Sequence, residues 1–78
     1  MPNPYSLESV SNDDLYDMVA EAIEWDETAV LPDGKIRALA AKWNEMPGAP
    51  GPQANSLART LIMTEAAKRW LYARPFAQ

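Results

Sequence analysis

The first stretch of apolar residues at helical spacing follows Ser11. Ser11 and Asp14 predict an N-terminal capping box, with Asp in place of the usual Glu. Asp26 would fall on the apolar face, so we expect helix 1 to span about residues 12–26. That face is centred on four residues spaced three or four apart: Leu15, Val19, Ala22 and Ile23.

A turn precedes the second apolar stripe. Pro32 presets φ, and Asp33 and Gly34 suit the following positions of a turn. We expect helix 2 over about residues 34–45, with Asp33 as its N-cap. A small hairpin that pairs residues 29–31 with residues 35–37 is the alternative. The stripe itself has the i, i+3, i+4, i+7 spacing of an amphipathic helix: Ile36, Leu39, Ala40, Trp43 and Met46.

A connector separates helix 2 from helix 3. The connector covers residues 46–54, and the three prolines and two glycines of residues 46–52 exclude a regular helix or strand there. Helix 3 is predicted over about residues 55–73, or from one turn earlier with Pro52 at its first position, and Pro75 stops it. It has two apolar stripes, so it is either the central helix or one that also packs on another chain. The stripes are Ala58, Ile62, Ala66, Trp70, Ala73 and Leu57, Leu61, Leu71, Tyr72.

These elements predict an all-α protein, a small three-helix bundle with a Pro/Gly-rich connector before helix 3. The chain has 78 residues, so we expect a single helical domain over residues 1–78. One tryptophan in each helix indicates a shared core. For Trp43 we expect a core position, whereas Trp25 and Phe76 suit either the core or an interface.

Charge is divided unevenly along the chain. Residues 1–34 contain nine acids and no Lys or Arg, whereas residues 35–78 contain seven bases and two acids. The two parts carry −9 and +5, which together give the net charge of −4. In helix 1, five acids occupy one stripe roughly 100° wide, with Met18 and Trp25 beside it. The acids of this stripe are Asp13, Asp14, Asp17, Glu21 and Glu24.

Composition limits the chemistry that is available. The chain has no Cys and no His, which excludes thiol mechanisms, the common catalytic triads and the usual zinc ligands. It also lacks a Gly-rich phosphate loop. Asp17 and Glu21 are four residues apart, but calcium-loop spacing is missing, and we interpret them as part of a solvated face. We therefore predict no enzymatic activity, no cofactor and no metal.

The acidic stripe suggests a function in protein binding. A row of carboxylates imitates a row of phosphates, so it can occupy a basic, nucleic-acid-handling surface of a partner protein. The simpler interpretation is that these acids only keep helix 1 soluble. Small, acidic, cysteine-free helical proteins are typical of phage and mobile-element inhibitors, anti-CRISPR proteins among them, and of immunity proteins. The residues expected to bind the partner are Asp13, Asp14, Asp17, Met18, Glu21, Glu24 and Trp25.

Two other functions remain open. A nucleic-acid or nucleotide binder would use the basic half, but the connector is too long for a helix-turn-helix and the bases are scattered. An accessory subunit of a larger complex would bury helix 3, and a homodimer through helix 3 is compatible with its two apolar sides. The N-terminus lacks a basic start and an apolar stretch, so we expect a cytoplasmic protein without a membrane segment. The candidate nucleic-acid-binding residues are Lys35, Arg37, Lys42, Lys68 and Arg69.

Overall fold

Residues 4–73 are described by the computed structural model, and within them the chain forms three α-helices and no strand. The helices are α1 (Asn12–Thr28), α2 (Lys35–Asn44) and α3 (Ala54–Ala73), with a single 3₁₀ turn at Gly51–Gln53. The predicted all-α three-helix bundle is confirmed. The alternative hairpin is wrong, because residues 35–37 form the first turn of α2.

The start of α1 is set by a local cap. The Ser11 hydroxyl accepts a hydrogen bond from the backbone N–H of Asp14 at 3.1 Å, as predicted. The reciprocal half of the capping box does not form, because the Asp14 carboxylate accepts from Lys35 instead. α1 ends two residues later than expected, at Thr28. The extension does not bury the charge of Asp26, because this residue stays exposed beside an open hollow between α1 and α3.

The buried face of α1 differs from the predicted one. Leu15, Met18 and Ala22 are buried, whereas Val19 is only partly buried and Ile23 is exposed. The buried face is therefore turned by roughly 50° towards the acidic stripe. The physical reason is that α1 has to contact both other helices, and α2 lies on the acidic side, where Met18 meets its first turns.

The core lies where the three helices meet. Ile36 and Trp43 of α2 and Ile62 of α3 are buried, and the Tyr5 ring stands edge-on to Trp43 with centroids 5.1 Å apart. The core position predicted for Trp43 is confirmed. The expectation of one core tryptophan per helix is wrong for Trp70, which is exposed. Trp70 instead borders an open hollow beside Asn12 and Tyr16, at the edge of the contact between α1 and α3.

Two polar contacts hold the segments outside the long helices. The Asn44 side chain accepts from the Gly51 N–H at 2.8 Å and donates to the Gly51 carbonyl at 3.2 Å, which closes the connector. Gly51 has a φ of +66°, a conformation that glycine adopts without steric cost. Arg69 donates to the carbonyls of Leu7 and Glu8, so the N-terminal segment is tied to α3. Pro75 and Phe76 lie outside the described residues.

Candidate functional site

The centre of the predicted acidic stripe is used to build the fold. The Glu21 carboxylate accepts hydrogen bonds from the backbone N–H groups of Lys35 at 2.9 Å and Ile36 at 3.0 Å. These N–H groups belong to the first turn of α2 and therefore have no acceptor within that helix. The negative carboxylate also complements the positive end of the helix dipole. The N-cap residue is Gly34, which has no side chain to accept these hydrogen bonds. The prediction of Asp33 as the N-cap is therefore wrong. Glu21 is thus a structural residue of the bundle.

Two further acids of the stripe bind the same helix end. The Lys35 ammonium lies 3.0 Å from an Asp14 carboxylate oxygen and also contacts Asp17. The hydrogen bond from Lys35, helped by its positive charge, lowers the pKa of Asp14 below its ordinary value. The hydrogen bonds to Asp17 and then Asp14 raise the pKa of Lys35. All three side chains remain exposed to solvent, so a partner can still reach them.

The outer part of the stripe is left without such contacts. Asp13 and Glu24 are exposed, and neither carboxylate forms an ion pair within residues 4–73. Asp26 and Glu27 are also exposed, and the last turn of α1 has no basic residue. Acids at a helix C-terminus oppose the helix dipole by roughly 0.3–1 kcal/mol each. The exposed face of α1 is therefore a negatively charged surface that a cation would stabilise. We call Asp13, Glu24, Asp26 and Glu27 the acidic rim. Asp13, Glu24 and Glu27 lie on the outer side of α1, whereas Asp26 lies on the side towards α3.

Neither apolar neighbour of the stripe presents a freely exposed side chain. Met18 is only 8% exposed and belongs to the core, because α1 is turned towards α2. Trp25 is partly buried, and the Arg59 guanidinium lies 4.3 Å from its ring centroid. This cation–π contact places one base of the C-terminal half close to the acidic end of α1. Met18 is thus unavailable to a partner, and Trp25 is available only in part.

Most of the bases considered for nucleic-acid binding have partners inside the molecule. Lys35 is paired with acids of α1, as described above. Arg37 donates to the carbonyls of Pro32 at 3.2 Å and Leu31 at 3.0 Å, which fixes the segment before α2. Arg69 is bonded to Glu65 at 2.8 Å and to the N-terminal segment. The exposed Lys42 and Lys68 lie on two different helices.

An exposed apolar groove between α1 and α3 was not anticipated from the sequence. It contains two hollows that follow one another along the helix pair. The first hollow measures about 260 Å³ and is lined by Tyr16 and Trp70 among others. The second measures about 480 Å³ and is lined by Ile23 and Met63 among others. The exposed fractions of these apolar residues are large: Tyr16 74%, Ile23 49%, Met63 42% and Trp70 65%.

The sequence contained a signal for this groove that was open to another interpretation. Tyr16 and Ile23 are seven residues apart, as are Met63 and Trp70, so each pair lies on one side of its helix. Periodicity places Ile23 and Trp70 on apolar stripes, but helical spacing identifies a face without showing whether another helix covers it. We call the surface around both hollows the α1–α3 groove.

The described part of the chain also bears on membranes and metals. Within residues 4–73, no helix combines the length and apolar character needed to cross a membrane. In the same residues, no three acidic side chains converge as metal ligands would. Comparisons of the chain with protein-family models, with curated proteins and with solved structures find no match.

Proposed function

We propose that this protein is a non-enzymatic binding domain, an inhibitor or adaptor that presents the exposed acids of α1 to a basic surface of another protein. One observation supports this most directly. After Asp14 and Glu21 have been used to hold α2, the exposed side of α1 still carries the acidic rim without a single basic residue. A fold that required only internal charge balance would not need these remaining carboxylates.

The charge density of the rim indicates what it can contribute. Its three outer carboxylates extend from Asp13 to Glu27, about 21 Å along the helix axis, which is roughly one charge per 7 Å. Duplex DNA carries one charge per about 1.7 Å. The rim therefore guides encounter and selects a basic partner, while other contacts have to supply most of the affinity. A nucleic-acid-handling protein has such a basic surface, and an anti-defence inhibitor of the anti-CRISPR type is the specific form of this proposal.

A charge-reversal experiment tests the proposal. Asp13→Lys with Glu24→Lys reverses two rim acids and leaves the carboxylates that hold α2 intact. Asp33→Lys with Glu45→Lys is the matched control, because these acids are also exposed and change the net charge equally but are not part of α1. Each protein is immobilised and exposed to lysate of its source cells at low salt, and the retained partner is then purified for binary binding. Thermal melting checks that both variants remain folded.

The proposal expects the parent and the control to retain the same basic protein and the rim variant to lose it. Binding should also weaken as salt is raised, because exposed charges are screened over about 10 Å at 0.1 M salt. Equal retention by the rim variant and the control contradicts the proposal. We do not extend it to nucleic acid, because three of the five candidate bases are bonded within the fold.

A second candidate, an accessory subunit of a larger complex, is supported by the end of α3. Trp70, Leu71 and Tyr72 are all exposed on its last turns. Tyr and Trp are enriched in interfaces. Light scattering of the isolated chain tests this candidate. Oligomers or aggregates that disappear in Leu71→Ser would support it, whereas a soluble monomer with cooperative melting would contradict it.

A further inference from the structure

The α1–α3 groove has the length of a short helix. Residues 12–19 of α1 line the first hollow together with residues 66–70 of α3. Residues 22–26 of α1 line the second hollow together with residues 59–64 of α3. The two helices therefore run antiparallel, and the groove follows α1 for about 21 Å, the length of roughly 14 helical residues.

The apolar residues repeat along the groove at a helical interval. Tyr16 and Trp70 belong to the first hollow, and Ile23 and Met63 belong to the second. On each helix the two residues are seven positions apart, which is about 10.5 Å along the axis. A helix lying along the groove repeats the same interval between its positions i and i+7. Such a helix would place one apolar side chain in each hollow.

Charge around the groove defines the chemistry of the occupant. On the α1 side, Asp26 lines the second hollow, and Asp13 and Glu27 lie one turn from Tyr16 and Ile23. On the α3 side, Arg69 lines the first hollow and Arg59 lines the second, so the positive charge of the groove lies on α3 and its negative charge on α1. Both arginines are engaged inside the molecule, Arg69 with Glu65 and Arg59 over the Trp25 ring. The exposed residues on this side are neutral, namely Thr60, Met63, Thr64 and Trp70. An occupant with Lys or Arg towards α1 is therefore favoured.

We propose that the α1–α3 groove binds a basic amphipathic helix of a partner protein, with large apolar residues at i and i+7 seated in the two hollows and Lys or Arg against the acidic rim. This inference rests on the proposed function, because it identifies the partner's basic surface as one helix. The acidic rim alone would select a partner by its positive charge, whereas the two hollows also select it by the spacing of its apolar side chains.

Synthetic peptides provide the probe. The first is a labelled 16-residue helical peptide with Leu at i and i+7 and Lys on one flank. The second has the same composition with the two Leu residues on opposite sides, and the third has Glu in place of Lys. Fluorescence anisotropy with the full chain should show binding of the first peptide and at least tenfold weaker binding of the other two. Equal binding of the first two peptides overturns the proposal.

Surface variants of the protein locate the binding site. Ile23→Ser with Met63→Ser removes two exposed groove residues, and Val30→Ser removes an exposed apolar residue elsewhere. We expect about tenfold weaker binding of the first peptide to the groove variant and unchanged binding to the control. Melting curves and circular dichroism show whether each variant keeps the fold. Equal affinity in the groove variant, or a dimer that this variant dissolves, overturns the proposal.

The failure of this inference can be distinguished from the failure of the proposed function. If the Asp13→Lys, Glu24→Lys variant loses the cellular partner and the groove variant keeps it, the acidic rim is the binding surface and the groove proposal is wrong. If the first peptide binds the groove and the rim variant keeps its cellular partner, the groove proposal holds and the rim-based function is wrong.

Discussion

Replacing Glu21 with Ala should destabilise the start of α2 more than any other change to an acid of α1. The carboxylate accepts from the N–H groups of Lys35 and Ile36, and it links α1 to residues of α2 that are 14 and 15 positions away in sequence. α2 has only ten residues, and isolated helices shorter than about 12–15 residues are marginal in water. Its first turn therefore depends on contacts from elsewhere in the molecule.

The size of the effect follows from the geometry. Losing an N-cap acceptor costs about 0.5–2 kcal/mol, and hydrogen bonds to a charged group contribute about 1.5–3 kcal/mol. Glu21 is half-buried, so in its absence water partly replaces the carboxylate as the acceptor of these N–H groups. We therefore expect Glu21→Ala to lower the free energy of unfolding by about 2 kcal/mol. A chain of this size has a total stability of about 4–12 kcal/mol. The variant should therefore fold, with a Tm lower by roughly 8–16 °C.

Urea unfolding followed by circular dichroism measures this loss. Glu24→Ala is the control, because Glu24 is an exposed acid of the same helix without a side-chain bond, and its change should stay within about 0.5 kcal/mol. Glu21→Gln should lie between the two, since it keeps one acceptor oxygen and turns an N–H₂ group towards the second donor. Equal stabilities for Glu21→Ala and Glu24→Ala would refute the reasoning.

A double-mutant cycle with Gly34 separates this contact from other effects. A Cβ at Gly34 would lie 2.6 Å from a Glu21 carboxylate oxygen, so Gly34→Ala has to displace the carboxylate. The φ of Gly34 is −160°, outside the left-handed region, and the cycle cancels any backbone effect of the substitution that is common to both backgrounds. Gly34→Ala should destabilise the parent by about 1 kcal/mol or more and the Glu21→Ala variant much less. The same loss in both backgrounds would show that the contact does not hold α2.

Three further contacts give measurable predictions. The lowered pKa of Asp14 means that its pairing with Lys35 stabilises the fold above about pH 4, and this stabilisation is lost as the pH falls through the lowered pKa. Asp14→Asn should therefore melt below the parent at neutral pH, and the difference in Tm should shrink as the pH is lowered from about 4. Arg69→Met should cost about 1–3 kcal/mol in urea unfolding and speed hydrogen exchange in residues 5–10, whereas Lys68→Met should do neither. Asn44→Ala should cost about 1 kcal/mol by opening the connector, and an unchanged unfolding midpoint would contradict its role.

Local interactions explain which parts of the fold were predictable. Ser11 caps α1 through a donor three residues away, and the prolines of the connector prevent helix by their own geometry. Interactions of this kind involve neighbours within about four residues, so a single sequence is sufficient to recognise them. The same holds for the alignment of five acids on one side of helix 1, which follows from helical periodicity.

The candidate site was only partly predictable, because its availability depends on distant partners. Periodicity placed Glu21 and Glu24 on the same stripe, but the position of α2 makes the first a structural acceptor and leaves the second exposed. It placed Ile23 and Trp70 on apolar faces, but both border open hollows at the edge of the α1–α3 contact and stay exposed. Met18 beside the acids was buried for the same reason.

By itself, the sequence determined the number, approximate limits and periodicity of the helices, since caps, breakers and apolar spacing act within a few residues. The tertiary structure alone decided which side of each helix is covered. Burial depends on contacts between residues 14 or more positions apart, such as Glu21 with Lys35 and Leu7 with Arg69. The acidic stripe is therefore divided into a structural part that holds α2 and an exposed acidic rim beside an apolar groove.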